Sequence, residues 1–181
     1  MAALSSQNNL GTDIIDFSLK GTDGKIYSPE NFKDKDILVI IFQCNHCPYV
    51  KAVMDRFVTF QKEYSGRKVQ LIGINPNDTI SYPEDSFENM ILFSEKYKLN
   101  FPYLIDETQE TARKYDAVCT PDIYVYDKER KLRYRGRLDD SWKDESKITS
   151  RDLERAVELL LEGKEIDFRQ IPSMGCSIKW I

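Results

Sequence analysis

Two stretches of the chain are apolar almost without interruption. Residues 36–43, DILVIIFQ, and 69–76, VQLIGINP, are short and rich in β-branched side chains. Runs of that length and composition predict strands buried on both faces, as in the middle of a parallel or mixed sheet. Between them the period changes. From Pro48 to about Tyr64 the apolar residues fall at Val50, Met54, Phe57 and Tyr64, near helical spacing. Residues 84–99, EDSFENMILFSEKYKL, predict a second helix whose acidic first turn suits the helix dipole. TQETARKY at 108–115 predicts a short third helix. SRDLERAVELLLEG at 150–163 has a polar cap, an amphipathic body and a terminal glycine, and predicts a final one.

The remaining signals are extended. Residues 14–20 alternate apolar and polar, GTDGK supplies a turn and IYS resumes, so an N-terminal β-hairpin is expected. FPYLID at 101–106 is a short strand, and DIYVYD at 122–127 with KLRYRGRL at 131–138 form a late hairpin. Strands alternating with helices imply an α/β fold: a central mixed β-sheet flanked by helices, extended by the N-terminal hairpin. The 181 residues suit one domain, 1–181. Residues 1–12 are expected to be a flexible leader and 166–181 a C-terminal tail. That tail and the segments 77–85 and 139–147 are the stretches expected to be mobile.

Charge and composition exclude several function classes. Net charge is −4, from 26 basic and 30 acidic residues, with no long basic block. Nucleic acid is therefore not expected as a partner, because that binding depends on neutralising phosphates. The locally basic KERKLRYRGR at 128–137 reads as the solvent face of a strand pair. No apolar run approaches the ~20 residues of a membrane helix, so no membrane partner is expected. The first residues lack the basic-then-apolar order of a secretory signal. Cysteines at 44, 47, 119 and 176 are too sparse for a disulfide scaffold. The expected compartment is a reducing cytoplasm, where a close cysteine pair reads as catalytic or metal-binding before structural.

That pair lies in FQCNHCPYV, residues 42–50, where a buried strand hands over to a helix. Cys44 is expected at or near the helix N-cap, where first-turn amides and the helix dipole stabilise the reactive thiolate. The apolar stripe of the helix, traced backwards, reaches Cys47, which is expected to face the core while Cys44 sits at the exposed lip. An activated outer thiol beside a shielded partner suits disulfide exchange, one attacking and the other resolving. His46, the only histidine in the chain, would stabilise a neighbouring thiolate and tune the redox potential. Pro48 is tolerated in a first helical turn. A closed zinc site wants four ligands, usually two close pairs, and one pair is present, so no metal is expected. Cys119 reads as a small buried hydrophobe or as a third thiol. Cys176, in PSMGCSIKWI, is the other candidate third thiol, and Gly175 would let that segment bend tightly. The apolar SIKWI is expected to dock on the domain.

Strand, Cys-x-x-Cys, helix and the later CTPDIYVYD together resemble the thioredoxin superfamily. The resemblance implies a thioredoxin-like fold over most of the chain. It also implies that Thr120 and Pro121 form a cis-proline loop that faces the cysteine pair and holds an extended partner chain; cis bonds are costly except before proline. The N-terminal hairpin, INPND, FPYLIDE and RGRLDD resemble the redoxin (AhpC/TSA-like) branch, which holds peroxiredoxins and thiol-disulfide oxidoreductases. CNHCPYV with a C-terminal GCSIKW is similar to a cytoplasmic group of redoxin-domain proteins. Asn45-His46 differs from thioredoxin's Gly-Pro and resembles the more oxidising isomerase and periplasmic oxidase motifs, at about −180 and −120 mV against about −270 mV. The strand ILVIIF lacks thioredoxin's buried acid, and Lys51 and Asp122 are the substitutes at hand. The peroxiredoxin pattern Pro-x-x-x-Thr-x-x-Cys, set on Cys47, finds Ile40 and Cys44 in place of its helpers.

The expected function is a thiol-disulfide oxidoreductase cycling Cys44 and Cys47, supported by His46, Thr120 and Pro121. Its partners would be a disulfide-bearing protein or small molecule and an electron donor, with no cofactor. The alternatives are a peroxiredoxin-like thiol peroxidase and a metal-binding or interaction module of the same fold.

Overall fold

A computed structural model describes residues 2–5 and 9–181. Among these residues the chain forms ten strands and four α-helices. The strands are β1 (Ala2–Leu4), β2 (Leu19–Gly21), β3 (Ile26–Tyr27), β4 (Ile37–Phe42), β5 (Val69–Asn75), β6 (Tyr103–Ile105), β7 (Cys119–Thr120), β8 (Asp122–Tyr126), β9 (Leu132–Arg135) and β10 (Met174–Ser177). The helices are α1 (Pro48–Tyr64), α2 (Phe87–Tyr97), α3 (Glu110–Lys114) and α4 (Asp152–Leu161).

The two uninterrupted apolar runs become the centre of the main sheet, whose order is β3-β2-β6-β5-β4-β8-β9. β4 pairs parallel with β5 and antiparallel with β8, so the sheet is mixed. All six residues of β4 are buried. Because side chains alternate along a strand, Ile37, Val39 and Ile41 join one core, with Val50, Met54, Phe57, Met90, Phe93, Leu153 and Val157 from α1, α2 and α4. Leu38, Ile40 and Phe42 join the other, with Phe17, Phe32, Ala112 and Tyr115. Each fully buried aliphatic or Phe side chain contributes about 1.5–3 kcal/mol relative to exposure, and this sandwiching explains why β4 carries no polar residue. β2 and β3 form the expected N-terminal hairpin, and β8 and β9 the late one. A central mixed sheet flanked by helices, with a cis peptide between Thr120 and Pro121, is the thioredoxin-like fold. No helix among the described residues is long and apolar enough to cross a membrane.

The two chain ends depart from the expectation. β1 and β10 pair antiparallel, and β10 pairs antiparallel with β7, giving a second sheet of order β1-β10-β7. The leader expected to be flexible over 1–12 thus contributes a strand, and Gly11 N–H donates to the Leu132 carbonyl at 2.7 Å. Met1 and Ser6 to Asn8 lie outside the described residues. The tail expected to be mobile is docked as well. Ile178 is buried, its N–H donates to Val118 O, Lys179 N–H donates to Asn77 Oδ1, and Asp78 N–H donates to Lys179 O. Backbone pairing of three or four residues, added to a few side-chain anchors, fixes segments whose composition carries no periodic signal. The same applies to 77–85 and 139–147. Asn77, Asp78 and Asp85 are buried, and Asp139 pairs with buried Arg56.

Candidate active site

The Cys44–Cys47 loop joins the end of β4 to the start of α1. Gln43 N–H still donates to Ile74 O at 2.8 Å, continuing the ladder, and the chain then leaves the sheet. Pro48 occupies the first helical position, where its missing N–H costs nothing. The helix therefore begins one residue after the second cysteine, and Cys47 is its N-cap, with φ −64° and ψ 122°. This corrects the expected placement. Cys44 is neither the N-cap nor at an exposed lip: both cysteines are 0% exposed.

Thr120, just before the cis peptide, touches both sulfurs. Its Oγ1 lies 3.4 Å from Cys44 Sγ, and its carbonyl oxygen 3.1 Å from Cys47 Sγ. The interaction between the two sulfurs is the leading cause that divides charge between the cysteines. Cys47 receives a hydrogen bond from the Cys44 thiol first, then from the Cys176 thiol, the Val50 amide and the Thr120 side chain; against burial, these lower its pKa from 9.0 to about 5. The Thr120 carbonyl is the one neighbour that a proton on Cys47 would satisfy, and the donors outweigh it. Cys44 moves the other way, well above 9.0, because it donates to Cys47, is buried and lies near the Asp85 carboxylate. Both directions favour the proton on Cys44 and the charge on Cys47, whereas the sequence reading puts the activated thiolate on Cys44.

Asp85 is the functional residue that sequence reasoning missed. It ends a short 3-10 turn, Pro83–Asp85, before α2, and is fully buried. Its Oδ1 accepts from the amides of Asn45 at 2.7 Å and His46 at 3.1 Å. Its Oδ2 accepts from His46 Nδ1–H at 2.6 Å and Asn77 Nδ2 at 2.7 Å. Asn45 also donates to Glu84 O and accepts from Tyr103 OH. The carboxylate thus clamps the two residues between the cysteines. His46 is a quarter exposed and stacks on Tyr82. The residue pattern EDS at 84–86 reads locally as a helix start, and only the β5–α2 crossover brings it to the cysteines. Of the substitutes named for thioredoxin's acid, Lys51 is exposed, and Asp122 is buried in a pair with Arg135 at 3.0 Å.

Cys44, His46 and Asp85 offer ligand atoms within 4.8 Å of one another, the one such metal-capable group among the described residues. Three ligands fall short of a closed zinc site. Both Asp85 oxygens are already engaged by four donors, so the donor set fits a hydrogen-bonded clamp better than a metal.

The two further cysteines separate. Cys176, on β10, stands opposite Thr120 in the strand register and donates to Cys47. Burial, and then that donation, push its thiol up to about 12. Cys119 is fully buried, with Sγ 3.7 Å from Pro121 O and 3.9 Å from Ser173 O. Burial and the Asp122 charge raise its pKa, so it behaves as a small buried hydrophobe. Beside the cis peptide lies a mostly apolar cleft of about 260 Å³, lined by Tyr49, Val53, Pro121, Trp142 and Met174 among others.

Comparison with known proteins places this site in company. The AhpC/TSA family model matches residues 10–135. The thioredoxin-like protein YneN of Bacillus subtilis (strain 168) is 30% identical over 117 residues, 65% of this chain and 65% of that protein. Chloroplastic peroxiredoxin Q of Triticum aestivum is 25% identical over 125 residues, covering 65% of this chain and 54% of the relative. The match thus spans less than two thirds of each curated relative's own length. Among solved structures, an uncharacterized conserved protein from Geobacillus kaustophilus is 43% identical with a TM-score of 0.94, covering 100% of this chain and 97% of that one. A hypothetical protein, SMc02350, from Sinorhizobium meliloti 1021 is 37% identical with a TM-score of 0.94, covering 98% of each chain.

Proposed function

Because the chain belongs to the AhpC/TSA family, we propose that it is a thiol-disulfide oxidoreductase that cycles Cys44 and Cys47 between dithiol and disulfide. The observation that carries this reading is the placement of the pair: two buried sulfurs, both in contact with Thr120 at 3.4 and 3.1 Å, beside the cis peptide of Thr120 and Pro121. Cys47 is the attacking sulfur of the pair. Cys44, which keeps its proton, completes the intramolecular disulfide and delivers that proton to the leaving thiolate. Thr120 fixes both sulfurs, and the Asp85 clamp holds the loop between them. The partner is a disulfide-bearing protein or small molecule, and the setting is a reducing cytoplasm.

Mass spectrometry of protein treated with oxidised and reduced glutathione tests the cycle. The expected result is a reversible Cys44–Cys47 disulfide, and reduction of a model disulfide that falls to background in Cys47→Ser. An unchanged rate in Cys47→Ser would overturn the assignment.

A peroxidase is the second reading. It is favoured by one observation: Cys47 sits directly before Pro48 at the helix N-cap, and its neighbours lower its pKa. Peroxide is small enough to reach a buried sulfur. Against it, Ile40 and Cys44 stand where the peroxiredoxin pattern has its helpers. Trapping a sulfenic acid on Cys47 in Cys44→Ser, with thiol-coupled peroxide consumption by the wild type, would select this reading.

A further inference from the structure

Neither sulfur of the Cys44–Cys47 pair belongs to an exposed residue, whereas Cys176 is partly exposed. Its place is tightly set. β10 lies against β7 with Cys176 opposite Thr120, the residue whose carbonyl and hydroxyl approach Cys47 and Cys44. A Cβ on Gly175 would sit 2.0 Å from the Thr120 carbonyl oxygen, so only glycine allows this approach. Beyond the strand, Gln109 Nε2 donates to Lys179 O, Ile181 N–H donates to Gln109 Oε1, and Arg113 covers the Trp180 ring. Cys176 packs against the core cluster that holds Cys44 and Cys47, near enough for its thiol to act on the Cys47 charge. Three sulfurs therefore lie in series, Cys44, Cys47 and Cys176, with only the last at the surface. β10 also occupies the edge of β7, where an extended partner chain would otherwise add a strand.

We infer that Cys176 is the outer sulfur of a three-thiol relay, which exchanges with a low-molecular-weight thiol and passes the disulfide to and from the buried pair through a Cys47–Cys176 bond. The inference rests on the reading that Cys44 and Cys47 cycle. Reduction begins with the Cys44–Cys47 disulfide. Cys176 attacks Cys47, the Cys47–Cys176 bond forms as the Cys44–Cys47 bond breaks, and the Cys176 proton passes to the Cys44 sulfur. An external thiolate then attacks the sulfur of the partly exposed Cys176, forming a mixed disulfide and releasing the Cys47 thiolate. A second external thiolate attacks the mixed disulfide and releases Cys176, which regains a proton. Two external thiols become one external disulfide, Cys44 and Cys47 gain two electrons, and Cys176 ends unchanged. Run backwards, the same exchanges carry electrons out to an external disulfide.

Access and leaving-group quality both favour this route. Attack on a disulfide goes to the reachable sulfur and expels the more acidic thiol fastest. In the Cys47–Cys176 bond, the reachable sulfur is Cys176 and the more acidic leaving group is Cys47. Among the cysteines, Cys119 has no part, since its sulfur faces the carbonyls of Pro121 and Ser173.

The test uses the full chain and glutathione as the probe. Reduction of the wild-type Cys44–Cys47 disulfide by glutathione should slow at least about tenfold in Cys176→Ser and keep its rate in Cys119→Ser. Oxidised Cys44→Ser should carry a Cys47–Cys176 disulfide, and Cys47→Ser a glutathione adduct on Cys176. Cys176→Ala, checked for fold by circular dichroism, should repeat the Cys176→Ser result. A wild-type rate in both Cys176 variants, or a free Cys176 in oxidised Cys44→Ser, would overturn the relay while leaving the cycle standing. Absence of any Cys44–Cys47 disulfide in the oxidised wild type would instead overturn the cycle, and the relay with it.

Discussion

The division of charge between the two cysteines has a measurable consequence for the redox potential. Cys47 is an acid whose pKa in the reduced fold is depressed from 9.0 to about 5. The reduced protein therefore gains stability as pH rises from about 5 to 9, and loses that gain as pH falls through about 5. At pH 7 the gain covers about two of those units, or about 3 kcal/mol. For a two-electron couple, about 1.4 kcal/mol is about 30 mV, so the potential lies about 60 mV above that of the same pair without the thiolate. The proton count gives a sharper test. Between about pH 5 and 9 the reduced pair holds one thiol and one thiolate, so reduction takes up one proton for two electrons. The potential should fall by about 30 mV per pH unit there, and by about 60 mV per unit below pH 5. Equilibration with glutathione at a series of pH values, read by thiol alkylation and mass spectrometry, measures the slope. Cys176→Ala removes one donor to the thiolate and should move the break upward by about one pH unit, since thiols are weak donors. A slope of about 60 mV per unit across the neutral range would show that Cys47 is protonated, and would refute the charge assignment.

Other perturbations reach the surrounding clamp. Asp85→Ala strips the partner from the Asn45 and His46 amides and from His46 Nδ1; the expected loss is about 3–5 kcal/mol in urea unfolding, and a loss under about 1 kcal/mol would deny it the clamp. Gln43→Met should do the opposite. Both polar atoms of the buried Gln43 amide meet no partner among the described residues, so an apolar side chain of similar length should raise stability by about 1–3 kcal/mol, and a loss of stability would contradict that. Gly175→Ala places a methyl group into the Thr120 carbonyl. It should push β10 away, speed alkylation of Cys176 and raise the Cys47 pKa, all measurable by thiol-reactivity titration.

Much of the fold was legible because burial and period agree. ILVIIF has no polar residue because both its faces are covered, and α1 runs from Pro48 to Tyr64 because proline starts it and the apolar stripe sustains it. Cys-x-x-Cys and Thr120-Pro121 were legible as motifs. What escaped depends on contacts between distant segments. Asp85 meets His46 across 39 residues, and nothing in Glu84-Asp85-Ser86 distinguishes a loop clamp from a helix start. β10 reads MGCS, too short and too small for any strand pattern, and its place is fixed by Gly175 meeting Thr120. The charge preference within the pair runs opposite to the expectation because the N-cap falls on the second cysteine, where the Cys44 thiol and then other donors act on Cys47.

That inversion sets two preferences of the proposed relay against each other. On leaving-group grounds, a thiol attacking the Cys44–Cys47 disulfide would strike Cys44 and expel the acidic Cys47. Cys176, however, is near enough to act on Cys47, so geometry directs its attack there and makes the far less acidic Cys44 the leaving group. The proton reconciles the two. Cys176 begins protonated and must lose its proton to attack, while Cys44 leaves well and stays put only if it gains one. Transfer between them, along the line that already runs through Cys47, meets both needs without creating a second buried charge. The later expulsion of Cys47 by an external thiolate needs no such help, because that sulfur departs as the stabilised thiolate. The slow step of the relay is thus the internal one, and the Asp85 carboxylate beside Cys44 reinforces it by disfavouring a Cys44 thiolate that has not been protonated.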